Sequence, residues 1–134
     1  MTALFISQLH LAMFVSKPFN PILGETFQSK IGNTECFLEQ TSHHPPIFNF
    51  YMVNPNFKIY GFEQIEASAG ANSVTATKKG KLFVELSDKT LYRITKPHMI
   101  LSGTTMGKRL TYYTEELLVE DLVNKILKKF INFV

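Results

Sequence analysis

The sequence predicts a mainly β (α+β) domain: an antiparallel meander or partial β-barrel with a short N-terminal helix and a C-terminal amphipathic helix. Three observations predict it. From Leu23 to about Tyr113, Phe, Tyr, Ile, Val and Thr recur between turn residues at roughly 8–12-residue spacing, the signature of successive short strands. At either end the period changes to a helical one. No repeat, low-complexity run or Pro/Gly/Ser-rich linker divides the 134 residues, so a single domain over 1–134 is expected.

Residues 3–15 place Phe5, Leu9, Ala12 and Met13 on one helical face, which predicts the first helix. Lys17-Pro18-Phe19-Asn20-Pro21 ends it, because each proline removes a backbone donor and pushes its predecessor towards extended geometry. Lys81 to Leu86 is the clearest strand: Leu82, Val84 and Leu86 share one face, Phe83 and Glu85 the other. Near Gly61 the apolar phase slips from Phe57 and Ile59 to Tyr60 and Phe62, which predicts a bulge or a bend at a barrel corner. Residues 68–73 (SAGANS) read as a loop, and Lys78-Lys79-Gly80 as a second turn at a hairpin tip. After Thr114, Leu118, Leu122, Ile126 and Phe130 recur every four residues; Glu115 and Glu116 near the start and Lys128 and Lys129 near the end match a helix dipole.

Composition excludes several classes. An apolar content of 45% with 12 phenylalanines is ample for a core or a lined cavity, and 19% charged residues of mixed sign argue against disorder. The formal charge of +3 suits an anionic membrane surface, but no dense basic stripe or reader motif points to nucleic acid. Cys36, the sole cysteine, cannot form an intrachain disulfide, which fits a reducing compartment. The stretch from Ala3 to Val15 is too short to span a bilayer and has no basic leader.

Chemistry concentrates in two proline-bounded segments, 17–21 and 39–46 (EQTSHHPP). Neighbouring residues of a regular strand point to opposite faces, so His43 and His44 can meet one ligand only at a strand end or a twisted rim. There, a phosphate would accept charge-assisted hydrogen bonds from both imidazoles, with Lys17 adding a point charge and Asn20 a neutral donor. Composition alone favours the plainer alternative of a surface or partly buried histidine pair. A metal site would need further ligands, and Cys36, His10 and His98 lack zinc spacing; no metal and no cofactor is expected. Ser42 beside His43 is not a triad, and no catalytic residue is assigned.

Residues 17–27 (KPFNPILGETF) resemble the KPFNPLLGETF stretch of the oxysterol-binding-protein-related lipid-transfer domains. Residues 39–47 (EQTSHHPPI) are similar to that family's EQVSHHPPI fingerprint, with Thr41 in place of valine. Residues 70–74 (GANSV) followed by Gly80 resemble its GNSLEV…G segment, and Tyr92 to Pro97 its Y…KP segment. The order is kept from about residue 11 to residue 113. The chain departs from the pattern in lacking tryptophan, in joining the first helix directly to Lys17, and in showing no match after Thr114 to the family's later basic and acidic cluster.

The resemblance implies the first part of a β-barrel that encloses one lipid and catalyses no reaction. It implies that Lys17 and Asn20 contact the glycerol-side phosphate and headgroup of phosphatidylinositol 4-phosphate, that His43 and His44 hold the 4-phosphate, and that Leu23 lines the tunnel. A sterol or phosphatidylserine would be the exchanged cargo, moved without vesicles between membranes by a cytoplasmic protein held peripherally at organelle surfaces. Family order makes the tail further strand, whereas its periodicity makes it helix, and a helix is expected. A truncated barrel would leave an open edge, which predicts a covered open sheet or a homodimer. The rival functional reading is a family remnant that tethers membranes or binds a protein without extracting lipid.

Overall fold

The computed structural model describes residues 19–114 and 116–130. The helix expected over 3–15 and the residue Lys17 lie outside that range. Ten antiparallel strands form one sheet: β1 (Thr26–Ile31), β2 (Thr34–His43), β3 (Pro46–Asn54), β4 (Phe57–Ala69), β5 (Ser73–Leu86), β6 (Leu91–Thr95), β7 (Met99–Ser102), β8 (Leu110–Tyr113), β9 (Leu117–Asp121) and β10 (Ile126–Phe130). The first five follow one another as a meander. At β5 the sheet forks, because the strand is longer than either neighbour on its far side. Ser73–Ala76 pair with β7, which carries β8; Leu82–Glu85 pair with β6, which carries β9 and then β10. The predicted antiparallel meander is therefore present, and among the described residues the sheet does not close.

Register assigns the faces. Phe27, Leu38, Phe50, Gly61, Leu82, Ile94 and Val119 lie opposite one another across seven strands. This inner face carries the core, in which Leu82, Val84, Ile94, Leu117 and Val119 are buried and Phe50, Ile59, Leu86 and Tyr92 pack against them. Alternate residues point outward, where Tyr60 stacks on Phe83 and Arg93 pairs with Glu120. The alternation of Leu82, Val84 and Leu86 thus reports the face it was expected to report.

Two sequence expectations are overturned. The tail is a strand hairpin, not a helix, and no helix occurs among the described residues. Leu117 and Val119 alternate into the core while β6 offers an unpaired edge, and that period-two burial outweighs the period-four recurrence. The chain then turns at Asp121, whose Oδ1 accepts from the N–H groups of Val123 (3.0 Å) and Asn124 (2.9 Å), with Lys125 at φ 55°. Lys78-Lys79-Gly80 is likewise no hairpin tip. The three lie inside β5 opposite Ile65, Gln64 and Glu63.

Gly80 serves instead as a point of close backbone contact. A Cβ on Gly80 would sit 2.2 Å from the Phe62 carbonyl oxygen, and one on Gly61 would sit 1.9 Å from that of Lys81, with both glycines at positive φ. Side-chain-free backbone here lets the two longest strands approach closely. The register is unbroken at Gly61, so the slip of apolar phase marks no bulge but a site of close backbone approach. The turn expected over 68–73 is present, closed by Gly70 N–H donating to the Ser73 carbonyl at 2.7 Å.

Candidate functional site

The histidine pair ends the β2–β3 hairpin, where β2 contains the one register irregularity recorded in its pairing with β3. Cys36, Leu38 and Gln40 alternate onto the inner face, and regular continuation would send His43 outward. Between Gln40 and Ser42 the register shifts, so Gln40 opposes Phe48 and Ser42 opposes Ile47. Thr41 is the extra residue, and Asn49 Nδ2 donates to its hydroxyl at 2.7 Å. The bulge puts His43, opposite Pro46, on the same face as Gln40.

His43 is the last residue of β2, and His44 follows in the turn with a cis bond to Pro45. The rings lie 4.6 Å apart between centroids, edge to face at 67°. Both residues are exposed. The pair thus stands at a strand end, the placement that a shared ligand requires, and the bulge sets the face that His43 takes.

Gln40, unremarked in the sequence, organises the pair. It is 1% exposed, and its Nε2 donates to the Ser42 carbonyl at 3.0 Å. Because that carbonyl can only accept, the amide orientation follows, and the same Nε2 also faces His43 Nδ1 at 3.0 Å. Nδ1 must then accept, which assigns the ring proton to Nε2 and leaves that N–H to donate elsewhere. Gln40 Oε1 is buried with no hydrogen-bond partner. The available sequence signal was its parity with Cys36 and Leu38, which puts a polar residue in a core row.

The segment holding Asn20 and Leu23 comes to the same strand. Ile22 to Glu25 form a tight turn, with Glu25 N–H donating to the Ile22 carbonyl (2.9 Å) and Ile22 N–H to Glu25 Oε2 (2.7 Å). Gly24 N–H donates to the Gln40 carbonyl at 2.9 Å, docking the turn on the residue that orients His43. Leu23 is 58% exposed and Phe19 wholly so. Asn20 is exposed and belongs to this segment.

A charged cluster occupies the same row two strands away. Glu63 opposes Phe48, which opposes Gln40, so Glu63 lies about 10 Å across the sheet. It pairs with Lys96 at 2.9 Å, both side chains about one-quarter exposed. Burial drives the Lys78 ammonium below its ordinary range; Glu63 opposes that effect and Lys96 reinforces it. The geometry therefore offers cations, an oriented imidazole pair and a neighbouring apolar face. On the outer face, away from this row, an open concavity of about 570 Å³ crosses β1–β4, with Phe37, Tyr51, Tyr60 and Phe62 in its wall.

For catalysis or metal binding the structure assembles less. Among the described residues no group of three His, Cys, Asp or Glu side chains could hold a metal ion. His98 Nδ1 accepts from the Lys78 backbone N–H at 3.1 Å, which gives that histidine a structural task, and Cys36 is buried in the sheet.

The family model for the oxysterol-binding protein matches residues 1–133. The chain belongs to the oxysterol-binding protein family. The family is one of lipid-transfer proteins, not enzymes. Oxysterol-binding protein 9 of Dictyostelium discoideum is 34% identical over 124 residues, covering 90% of this chain and 29% of that protein. Oxysterol-binding protein homolog 1 of Saccharomyces cerevisiae is 33% identical over 103 residues, covering 70% of this chain and 9% of its own length. The structure of the Osh3 ORD from Saccharomyces cerevisiae in complex with PI(4)P superimposes with a TM-score of 0.73 at 26% identity, covering 79% of this chain and 29% of that one. The Osh1 ORD in complex with cholesterol gives 0.73 at 27% identity, covering 80% and 27%. The chain thus spans less than a third of the oxysterol-binding relatives it matches. Among the described residues no helix is long and apolar enough to cross a membrane.

Proposed function

We propose that the chain binds the headgroup of a phosphoinositide, phosphatidylinositol 4-phosphate, at the tip of the β2–β3 hairpin and takes part in non-vesicular lipid exchange between membranes. His43 and His44 donate to the 4-phosphate; Lys17 and Asn20 take the glycerol-side phosphate and headgroup; Leu23 lies along the apolar chains. The observation that carries this reading is the imidazole pair itself, exposed, 4.6 Å apart and set on one rim by the Thr41 bulge, with Gln40 directing the His43 Nε2–H away from the sheet's own hydrogen bonds. The Osh3 ORD, similar in fold and sequence, was solved with PI(4)P, and the Osh1 ORD with cholesterol, which supports a sterol as second cargo; phosphatidylserine is the alternative cargo of this reading. No bond is made or broken: the protein shields apolar chains from water and replaces phosphate hydration with imidazole and ammonium donors. Such a protein works peripherally, at the cytoplasmic faces of organelle membranes.

The test is extraction of phosphatidylinositol 4-phosphate from liposomes by the wild-type chain and by the His43→Ala/His44→Ala variant. Extraction by the former and not the latter is expected. A folded wild-type chain that neither binds nor extracts the lipid would reject the reading.

A second reading is favoured by the open sheet, whose edge strands expose Phe27 (59%), Ile31 (70%) and Ile126 (49%). Here the chain keeps the headgroup tip without enclosing a lipid, and acts as a tether or pairs with a second copy through an edge. Liposome binding that depends on His43 and His44 without extraction, and a dimeric mass in sedimentation, would select it.

A further inference from the structure

The loop between β7 and β8 is unlike the other connections. Residues 103–109 (GTTMGKR) are folded onto the β4–β5 turn by one side chain: Asn72 Oδ1 accepts from the backbone N–H groups of Thr105 (2.9 Å) and Met106 (3.0 Å), and Asn72 Nδ2 donates to the Met106 carbonyl (2.9 Å). Gly103 N–H donates to the Asn72 carbonyl at 3.0 Å, and the Thr105 hydroxyl donates to Asn72 Oδ1 at 2.9 Å. This ordered pedestal holds Met106 78% exposed, followed by exposed Lys108 and Arg109 and by Leu110 at 52%. Slack in the chain does not explain a large apolar side chain held in water this way.

Charge separates the tip from the rest of the surface. No acidic residue lies between Lys96 and Glu115, and none lies between Glu66 and Glu85. Glu66 itself is occupied by Lys79 at 2.8 Å. Among the described residues neither Lys108 nor Arg109 has an ion pair. The β4–β5 turn that supports the loop points the same way along the meander as the β2–β3 tip, since β2 and β4 run parallel on either side of β3. β4 continues five residues beyond Gln64, the partner of Ile47, to Ala69, roughly 17 Å of strand.

We propose that the Asn72-anchored tip, Met106 and Leu110 with Lys108 and Arg109, is a docking surface for an anionic lipid bilayer. Met106 and Leu110 enter the interface while the two cations lie among phosphate and carboxylate headgroups, the arrangement of a peripheral membrane anchor. The inference deepens the membrane-peripheral part of the proposed function and rests on it. Its test is separable, because docking is measured on vesicles that contain no phosphoinositide.

The chain contains no tryptophan, so Met106→Trp introduces a single fluorophore at the tip. With phosphatidylcholine/phosphatidylserine vesicles its emission is expected to shift to the blue and the chain to co-sediment; with phosphatidylcholine alone neither should occur. Lys108→Gln/Arg109→Gln should weaken partitioning roughly thirtyfold, from about fivefold for each cation near the surface. Met106→Ser/Leu110→Ser should weaken it at least tenfold, with an unchanged far-ultraviolet circular dichroism spectrum. Co-sedimentation without a Met106→Trp shift assigns docking to another face and overturns the proposal, as does an absence of binding. An equal shift with soluble polyglutamate would assign an acidic protein partner instead and overturn it too. His43→Ala/His44→Ala should dock as the wild type does, so loss of headgroup recognition and loss of docking read out separately.

Discussion

Gln40 Nε2 stands 3.0 Å from His43 Nδ1, so a residue 1% exposed sets the proton position of an exposed one. Replacing it tests whether that arrangement serves recognition. Gln40→Leu keeps the core row apolar and releases the ring, leaving the Ser42 carbonyl unsatisfied while removing the partnerless buried Oε1. Stability in urea should change by no more than about 1 kcal/mol, because the two effects oppose. Binding to liposomes containing phosphatidylinositol 4-phosphate should fall several-fold. Unaltered lipid binding would make Gln40 a packing residue only.

Thr41 permits a test by deletion. Removing it leaves Ser42 opposite Ile47 and His43 opposite Pro46, so alternation becomes regular and His43 stays on the inner face. An alanine inserted between Ser42 and His43 would instead turn His43 to the outer face. The remaining hairpin pairs as before, so strand content by circular dichroism should persist. Phosphoinositide binding should stay within a few-fold of the wild type in the deletion and drop to the level of His43→Ala/His44→Ala in the insertion. Retained binding in the insertion variant would mean that the face His43 occupies is incidental to the site.

Gly61→Ala should be severely destabilising. The new methyl would meet the Lys81 carbonyl oxygen at 1.9 Å, on a backbone at φ 151° that L residues rarely adopt. Contact with backbone rather than with a flexible side chain leaves no inexpensive relief, and a loss of roughly 3 kcal/mol or more is expected. Gly32→Ala shares a positive φ but meets no atom within 4 Å, and should cost only about 1 kcal/mol. Urea midpoints of the two variants would check the difference.

Acid should weaken the fold through Glu120. Arg93 hydrogen-bonds its carboxylate, with Nη2 2.9 Å from Oε1, and holds it below its ordinary 4.5 against a smaller opposing effect of burial. A carboxylate with a depressed folded value contributes stability that is complete above 4.5 and is lost as pH falls through the folded value. Asp121, held below 3.8 by the Asn124 N–H, acts in the same direction. The urea midpoint should therefore fall as pH drops below 4.5, with a shallower fall in Glu120→Gln. The pair faces solvent, so the difference should be small.

Much of the local structure around the candidate site is legible in residue order because its elements are local. The strand alternation of Leu82, Val84 and Leu86, the turn at 70–72 and the prolines after His44 are set by near neighbours, and a short-range pattern encodes them directly. The motif segments 17–27 and 39–47 carry the resemblance to the family in sequence alone. What escaped was long-range. Gln40 becomes a positioning residue only because Gly24 and Ser42 meet it, and Lys96 joins Glu63 across 33 positions of sequence.

The tail shows where the division falls. By itself the sequence determined the period of apolar residues, the places where backbone freedom is needed and the chemistry available at the histidine tip, since these follow from side-chain type and spacing. Tertiary structure alone decided whether residues 117–130 became helix or strand. Leu118, Leu122 and Ile126 satisfy a helical period as written, but β6 presents a row of unpaired backbone groups, and pairing with it buries Leu117 at 3% and Val119 at 7% exposure. The same contest set Gly80 in mid-strand instead of at a turn: its missing side chain is required by the carbonyl of Phe62, a neighbour that no local pattern names.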